Sequence, residues 1–303
     1  IMAGGTLGIL IPPSILAIIY AVVAEQSVGE LFIGAVIPGL LLSGMYILYV
    51  TMRCYINPSL GPAIPVEERI SHREKLQLVG KMAAPITLVV VVLGIIFSGV
   101  ATPVEAAGIG TFGAFIVAAI HRKLDWPTVR EACTTTLKAS AMVIWIMFGA
   151  TIFVGLYVLE GGQQFVQDAL AATGLGPWGI LILMQILLVI LGMFLDWVGI
   201  LLLCVPIFVP IIKALGAAAF GLSSPEDLVL WFGVLYLVNM QMSFLSPPFG
   251  YALFYLRGVA PPEIPMTDIF KSALPFLALQ IVGLVLCMVF PEIITWLPRL
   301  IYG

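Results

Sequence analysis

Two adjacent prolines occur twice in the chain, each time in the middle of an apolar stretch. The segment GTLGILIPPSILAIIY covers residues 5–20, and MQMSFLSPPFGYALFY at residues 240–255 aligns with it without gaps. A proline has no N–H, so the carbonyl four residues earlier loses its helical partner. The residue before a proline is also pushed away from helical dihedrals. Each proline pair therefore predicts a helix that is broken by a short unwound segment.

The predicted breaks leave backbone carbonyls unpaired in apolar surroundings. The first proline pair deprives the carbonyls of Gly8 and Ile9 of their N–H partners, and the second does the same to Ser243 and Phe244. In hydrocarbon, unwound backbone is tolerated only where protein buries it or where it lines a water-filled cavity. Two broken helices at corresponding positions of two halves indicate the binding site of a secondary transporter.

The composition predicts a membrane protein. Of the 303 residues, 61% are hydrophobic and 10% are charged, against roughly 25% charged in soluble proteins. Such a chain has too little polar surface to coat a soluble particle, so we expect an all-α polytopic membrane protein. The apolar spans contain no histidine, no HExxH motif and no paired aspartates, which argues against an enzyme. The four cysteines lie far apart and show no CxxC spacing. We therefore interpret them as ordinary free thiols rather than a metal site.

The alternation of apolar and hydrophilic segments predicts four regions. They are a broken helix at 1–27 that ends a first repeat, a transmembrane helix at 28–53, a cytoplasmic linker at 54–80, and a second repeat at 81–303. The second repeat is expected to hold spans at about 84–100, 105–120, 139–159 and 268–290, a hairpin at about 177–213, and a broken helix at about 228–257. The linker mixes apolar and charged residues, so it is either a helix lying in the membrane interface or a solvated connection.

The distribution of basic residues predicts the orientation of these spans. If the segment after residue 52 is cytoplasmic and the spans alternate, eleven of the 13 lysines and arginines lie on the cytoplasmic side, and only Lys213 and Arg299 lie outside. Positive charge concentrates on the cytoplasmic side of membrane proteins. The two broken helices then cross in opposite directions, which is the arrangement of inverted repeats.

Residues 177–213 form either a re-entrant hairpin that enters from outside or two full crossings. The limbs are about 18 and 16 residues long, at or below the roughly 17–25 residues of a spanning helix. They join at Asp196 and Trp197, and we favour the hairpin. In a hairpin, Asp196 would be a carboxylate at membrane depth, where ionisable groups are usually functional. In two crossings it would be an ordinary carboxylate at the cytoplasmic interface.

Polar side chains cluster at both breaks and are candidates for lining a site. Besides Asp196 and Trp197, the candidates are Thr6 and Ser14 at the first break, and Asn239, Gln241, Ser243, Ser246 and Gly250 at the second. Asn239, Ser243 and Ser246 follow helical spacing, so they share one face. Taken alone, such residues serve more often as hydrogen-bonding contacts between helices. Beside free carbonyls, neutral oxygens suit a hard cation such as Na⁺.

Four segments resemble the large membrane subunit of tripartite ATP-independent periplasmic (TRAP) transporters. They are GGTLGILIPPS at 4–14, SGVATPVEAAG at 98–108, GMFLDWVGILLLCVPIFVP at 192–210 and VNMQMSFLSPPFGYALFYLRGVAP at 238–261. The resemblance extends over essentially the whole chain. It implies an elevator-type, Na⁺-coupled importer of small organic acids in the bacterial inner membrane. The implied partners are a small membrane subunit and a periplasmic substrate-binding protein, with Na⁺ as coupling ion and no other cofactor.

The same resemblance implies a Na⁺ site at each unwound segment. Carried over by position, these sites involve Gly8, Ile11 and Pro13 at the first break, and Ser243 and Ser246 at the second. The family's first hairpin has no counterpart among these residues, so part of one ion site is missing. Because the first proline pair also lacks the rest of its repeat in front of it, we interpret the chain as the C-terminal portion of a longer protein.

Other classes of function fit the sequence less well. An ion channel needs neither inverted broken helices nor a hairpin, and an intramembrane enzyme lacks its catalytic residues here. The closest alternative is a stand-alone Na⁺/carboxylate symporter that works without a binding protein. The residues alone do not separate this symporter from the tripartite system.

Overall fold

A computed structural model describes residues 1–62, 71–248, 250–261 and 263–303, and no β-strand occurs in these ranges. In chain order the α-helices are α1 (Met2–Thr6), α2 (Ile15–Ala24), α3 (Val28–Ile56), α4 (His72–Phe97), α5 (Pro103–Ile120), α6 (Trp126–Leu159), α7 (Gly162–Ala172), α8 (Pro177–Gly192), α9 (Trp197–Leu215), α10 (Pro225–Leu245), α11 (Tyr251–Val259), α12 (Met266–Val289) and α13 (Glu292–Tyr302). The predicted all-α class is confirmed.

Helix length and composition identify a polytopic membrane protein. Among the described residues, six helices are long and apolar enough to cross a membrane, namely α3, α5, α6, α9, α10 and α12. Three further apolar stretches are shorter: α2 with 10 residues, α8 with 16, and Met82–Phe97 within α4, where a span was predicted at about 84–100. Because a crossing needs about 20 residues, neither α2 nor α8 is long enough to span a bilayer alone.

The chain divides into two compact units, one of Ile1–Tyr46 with Met142–Gly303 and one of Ile47–Ala141. In the second unit, α4 and α5 pack along each other. The first unit contains both proline pairs and is built around α10, nearly every residue of which is buried. Helices α2, α8, α9 and α12 all pack against α10. These four helices cover its backbone.

Both proline pairs interrupt a helix, as the sequence predicts. At the first, α1 passes into a 3₁₀ turn at Leu7–Ile9, and helix resumes only with α2. At the second, α10 ends at Leu245 and α11 begins at Tyr251. The peptide bond within each proline pair is cis.

Aromatic residues fix the first broken helix and α12 against α10. The Tyr20 hydroxyl of α2 donates to the Val229 carbonyl at 3.2 Å, and its ring lies 5.7 Å from that of Tyr236. On another side, the Trp231 indole N–H donates to the Cys287 carbonyl of α12 at 2.9 Å. Tyr and Trp satisfy their polar atoms in this way when their rings are buried.

Several segments interpreted as loops are helical instead. The linker was expected to extend to residue 80, but α4 begins at His72, behind a capping box in which Ser71 and Glu74 each accept from the other's backbone N–H. The part of that linker at 63–70 lies outside the described residues. Helix α6 begins at Trp126 rather than near 139. Asp125 accepts from the Thr128 N–H at 2.8 Å and so acts as an N-cap.

Two helices had no counterpart among the predicted spans, α7 and α13. Within α7, the Gln164 amide donates to the Asp168 carboxylate at 2.9 Å, a stabilising i, i+4 pair. Helix α13 buries Ile294, Thr295 and Pro298 and is held to α10 by the ion pair of Arg299 with Asp227 at 2.8 Å.

Helices α8 and α9 form a hairpin whose first limb runs parallel to α10. The ring centroids of Trp178 and Trp231 lie 6.4 Å apart. Further along, Asn239 is hydrogen-bonded to Gln185. The hairpin turn follows Gly192, which lies against Ser243. The hairpin turn is therefore level with the break at the end of α10.

The choice between a hairpin and two crossings stays open, because α8 has only 16 residues while α9, with 19, is long enough to cross a membrane. Ser243 follows Trp231 by about 18 Å along the helix at about 1.5 Å per residue. From the level where Trp231 bonds Cys287, the antiparallel α12 continues for 21 more residues to Met266, about 31 Å. Helix α12 therefore extends well beyond the level of the hairpin turn. Which face of a membrane the turn reaches stays a prediction.

Labelling of the hairpin turn tests its depth. In a variant without the four native cysteines, Leu195→Cys should react slowly with a membrane-impermeant thiol reagent applied from the cytoplasmic side. Leu195 is 43% exposed in the protein, so slow reaction would report the absence of cytoplasmic water rather than protein burial. Lys123→Cys, in the exposed turn between α5 and α6, is the control and should react rapidly. Equal rates at both positions would contradict a re-entrant hairpin.

Candidate functional site

The end of α8 lies in close contact with the last turn of α10. A Cβ atom at Gly192 would overlap the hydroxyl and Cβ of Ser243, so the absence of a side chain at position 192 permits this approach. Ser243 is 5% exposed, and its Oγ has no hydrogen-bond partner in the described structure. A buried hydroxyl without a partner is unusual and marks a candidate ligand group.

One turn earlier on α10, Asn239 binds α8. Its Nδ2 donates to the backbone carbonyl of Gln185 at 2.9 Å and to Gln185 Oε1 at 2.7 Å. Asn239 is fully buried and Gln185 nearly so. Two amide atoms of this pair, Asn239 Oδ1 and Gln185 Nε2, have no partner in the described structure. The predicted polar face of α10 is therefore turned toward the first limb of the hairpin.

The break itself starts at Ser246. Its hydroxyl donates to the Met242 carbonyl at 2.7 Å, and its own carbonyl accepts from the Gly250 N–H at 2.9 Å. A Cβ at Gly250 would lie 3.1 Å from that carbonyl oxygen, which explains a glycine where α11 begins. The carbonyls of Ser243 and Phe244 face prolines that have no N–H to offer.

Gln241 does not share this face. Two residues correspond to about 200° around an α-helix, so Gln241 lies almost opposite Asn239. It is fully buried, and neither of its amide atoms has a partner in the described structure. The structure therefore separates Gln241 from the polar face formed by Asn239, Ser243 and Ser246.

Asp196 and Trp197 lie at the hairpin turn, as predicted. Asp196 is the N-cap of α9, and its Oδ2 accepts from the Val198 N–H at 3.1 Å. A carboxylate is favoured there because the N–H groups of a first helical turn lack partners. Neither sequence interpretation of Asp196 included this cap. The carbonyl of Trp197 accepts from the Tyr236 hydroxyl at 3.5 Å, which ties the start of α9 to α10.

At the first break, polar side chains hydrogen-bond backbone groups, one of which the sequence predicts to be free. Ser14 is the N-cap of α2, accepting from the Ala17 N–H at 3.2 Å, and its hydroxyl donates to the Ile9 carbonyl. The expectation that the Ile9 carbonyl is free was therefore wrong. The Thr6 hydroxyl likewise donates to the Ala3 carbonyl at 3.0 Å. Both polar side chains stabilise backbone at this break.

The candidate Na⁺ residues at the first break are not enclosed. Gly8 and Pro13 are exposed, and Ile11 is half-buried with its side chain directed at Gly39 of α3. The structure thus brings together the polar residues of the second break and the hairpin turn, but it does not surround the first set. Among the described residues, no group of three or more His, Cys, Asp or Glu could hold a metal ion.

Sequence reasoning missed Gln185 and Gly192. Gln185 is the one polar side chain in the apolar run of α8, PWGILILMQILLVILG, and an isolated amide in such a run is a usable signal. Gly192 opens the segment quoted for the family resemblance, but nothing in the sequence indicates which residue lies against it.

Substitution at Gly192 tests the close contact with α10. Ala normally stabilises a helix by about 0.5–1 kcal/mol relative to Gly, but overpacking costs about 1–3 kcal/mol. Gly192→Ala should therefore lower the melting temperature of the purified protein. Gly199→Ala, on the other limb of the same hairpin where a Cβ meets open space, is the control and should leave it unchanged or higher. If Gly192→Ala and Gly199→Ala had equal melting temperatures, the close contact between Gly192 and Ser243 would be contradicted.

Comparison with known proteins identifies the family. The family model described as tripartite ATP-independent periplasmic transporter, DctM component, matches residues 1–293. The C4-dicarboxylate TRAP transporter large permease protein DctM of Pseudomonas aeruginosa is 34% identical over 296 residues, 97% of this chain and 65% of that protein. The sialic acid TRAP transporter large permease protein SiaM of Vibrio cholerae is 30% identical, over 98% of this chain and 66% of that protein.

A third relative is named for another solute, ectoine. It is the ectoine TRAP transporter large permease protein TeaC of Halomonas elongata, 27% identical over the full chain and 67% of that protein. The chain thus spans about two thirds of the length of these relatives. All three are named as transporter permeases rather than enzymes. The resemblance seen in the sequence is confirmed, and the chain belongs to the DctM component family of tripartite ATP-independent periplasmic (TRAP) transporters.

Proposed function

We propose that the protein acts as the large permease of a TRAP system and imports a small organic acid together with Na⁺. The observation that carries this proposal is the polar face of α10 at its break, where the buried, unpartnered oxygens of Asn239 and Ser243 lie against a hairpin. A binding site in a secondary transporter is typically built from broken helices of this kind.

The chemistry of this face supports a cation. Its side chains are a carboxamide and two hydroxyls, and the carbonyls of Ser243 and Phe244 are denied N–H partners by the prolines. Neutral oxygens of this kind bind hard cations that have shed their water. We assign the coupling Na⁺ to Ser243 and Ser246 with these carbonyls, and a second Na⁺ to the carbonyls of Gly8, Ile11 and Pro13.

The substrate class is proposed from the relatives. Two relatives are named for C4-dicarboxylate and sialic acid, which are organic acids, and a third for ectoine. A small organic acid is therefore the expected cargo, carried by an elevator movement across the bacterial inner membrane. Asp196 and Trp197 at the hairpin turn are the proposed residues near the cargo, and Asn239 lines the polar face next to them. Gln241, almost opposite Asn239 on α10, is not assigned to this face, and Thr6, Ser14 and Gly250 shape the backbone at the two breaks.

Two protein partners are part of the proposal. They are a small membrane subunit and a periplasmic binding protein that delivers the acid. The longest hydrophilic part of the chain, at 54–80, carries Arg69, Arg73 and Lys75 and is expected on the cytoplasmic side. A separate solute-capturing protein on the outer side is consistent with that distribution.

The Na⁺ dependence of uptake tests the coupling. In proteoliposomes that contain the permease, its small subunit and loaded binding protein, Ser246→Ala should raise the half-saturating Na⁺ concentration at least threefold, because a hydroxyl oxygen is lost at the break. Ser43→Ala is the matched control, since Ser43 makes the same kind of bond to a carbonyl four residues earlier, at 2.8 Å on α3. An unchanged Na⁺ dependence in Ser246→Ala would contradict the assignment.

Omission of the binding protein tests the tripartite assembly. Uptake should fall to background when free acid is supplied without it, because delivery of the acid is assigned to that partner. The background rate is measured with the binding protein present but not loaded with acid. Full uptake of free acid by the membrane components alone would instead support a stand-alone symporter.

A further inference from the structure

The orientation of the Asn239 carboxamide is fixed by its partners on α8. The backbone carbonyl of Gln185 can only accept, and it lies 2.9 Å from the terminal atom of Asn239 that faces it. That atom must therefore be nitrogen, because a flipped amide would bring two oxygens together. The Gln185 amide atom that lies 2.7 Å from this nitrogen is then the oxygen Oε1, because two NH₂ groups cannot bond to each other. Asn239 consequently keeps its Oδ1 free as an acceptor.

A second acceptor lies one helical turn away. Asn239 and Ser243 are four residues apart on α10, so their Cβ atoms are about 5–6 Å apart on one face. Ser243 Oγ is buried without a partner, as is Asn239 Oδ1. Two buried oxygens without donors are unfavourable in an apolar protein interior, and a ligand that binds oxygen would relieve both at once.

We infer that Gln185 is a positioning residue which holds the Asn239 carboxamide with its oxygen free, so that Asn239 Oδ1 and Ser243 Oγ together bind a desolvated hard cation. This inference rests on the proposed function and adds Asn239 to the ligands of the coupling Na⁺. A carboxylate from the cargo would meet acceptor oxygens at Asn239.

The placement of Gln185 explains why this role falls to α8. Helix α8 runs parallel to α10, and Gln185 is its only polar residue among apolar neighbours. Without Gln185 Oε1, the carboxamide of Asn239 would keep one bond, to a backbone carbonyl, and could turn its oxygen away more easily. Positioning by Gln185 should therefore affect ion affinity more than maximal transport rate.

Four variants in the reconstituted transporter separate these roles. Asn239→Leu removes the proposed ligand oxygen and should raise the half-saturating Na⁺ concentration at least tenfold. Gln185→Met removes only the orienting acceptor and should raise it about threefold. Gln185→Glu keeps an acceptor for Asn239 Nδ2 and should not raise it. Gln280→Met, at a fully buried glutamine on α12, is the control for loss of a buried amide and should leave Na⁺ affinity unchanged.

A binding measurement without transport complements uptake. The melting temperature of each purified protein is measured in NaCl and in choline chloride, because an ion that binds only the folded state raises it. The Na⁺-induced increase should be smaller in Asn239→Leu and Gln185→Met than in the wild type and in Gln280→Met. If Asn239→Leu fails to fold, the comparison of Gln185→Met with Gln185→Glu decides.

The outcomes distinguish this inference from the function on which it rests. A wild-type protein with neither Na⁺-stimulated uptake nor a Na⁺-induced rise in melting temperature would contradict the proposed function. A Na⁺-dependent wild type with unchanged Na⁺ affinity in both Asn239→Leu and Gln185→Met would overturn the inference alone. If Gln185→Met and Gln185→Glu lowered the Na⁺ affinity equally, the role of Gln185 as an acceptor would be overturned.

Discussion

The N–H groups missing at Pro247 and Pro248 determine how the first unit is built. An α-helix in hydrocarbon satisfies its own backbone, but a helix with two successive prolines cannot. The break must therefore be enclosed by protein, and α10 is accordingly surrounded by α2, α8, α9 and α12. The same requirement explains why polar side chains gather at the last turn of α10, where they lie next to carbonyls that the helix leaves unpaired.

The hairpin supplies both enclosure and polarity. Its first limb follows α10 through a ring contact at Trp178, hydrogen bonds at Gln185 and the close approach at Gly192. Such a limb carries little polarity of its own, so its single amide orients Asn239 without adding a charge to the membrane. The turn then presents Asp196 at the start of α9, where it caps the helix. An ion at the break would thus be enclosed by neutral groups, because the Asp196 carboxylate is engaged as the N-cap of α9.

Features that act along the chain could be predicted from the sequence, and those that depend on which helices meet could not. The proline pairs and the apolar lengths gave the breaks and the polytopic class, because a missing N–H acts on its own helix. The sequence places Ser14 among the candidate site residues, although a serine directly after two prolines and before a helix is also a usual N-cap. The orientation of Asn239 by Gln185 was beyond reach, since it requires α8 to run parallel to α10 in a particular register.

An ion bound at the second break depends on the prolines that open it. Titration calorimetry of Na⁺ with the purified protein should show saturable binding in the wild type. Replacing Pro247 and Pro248 together by alanine restores two N–H groups to the backbone, so it should abolish that binding while circular dichroism shows helix content that is equal or slightly higher. Undiminished Na⁺ binding in the folded double variant would contradict an ion site built on the carbonyls that the prolines leave free.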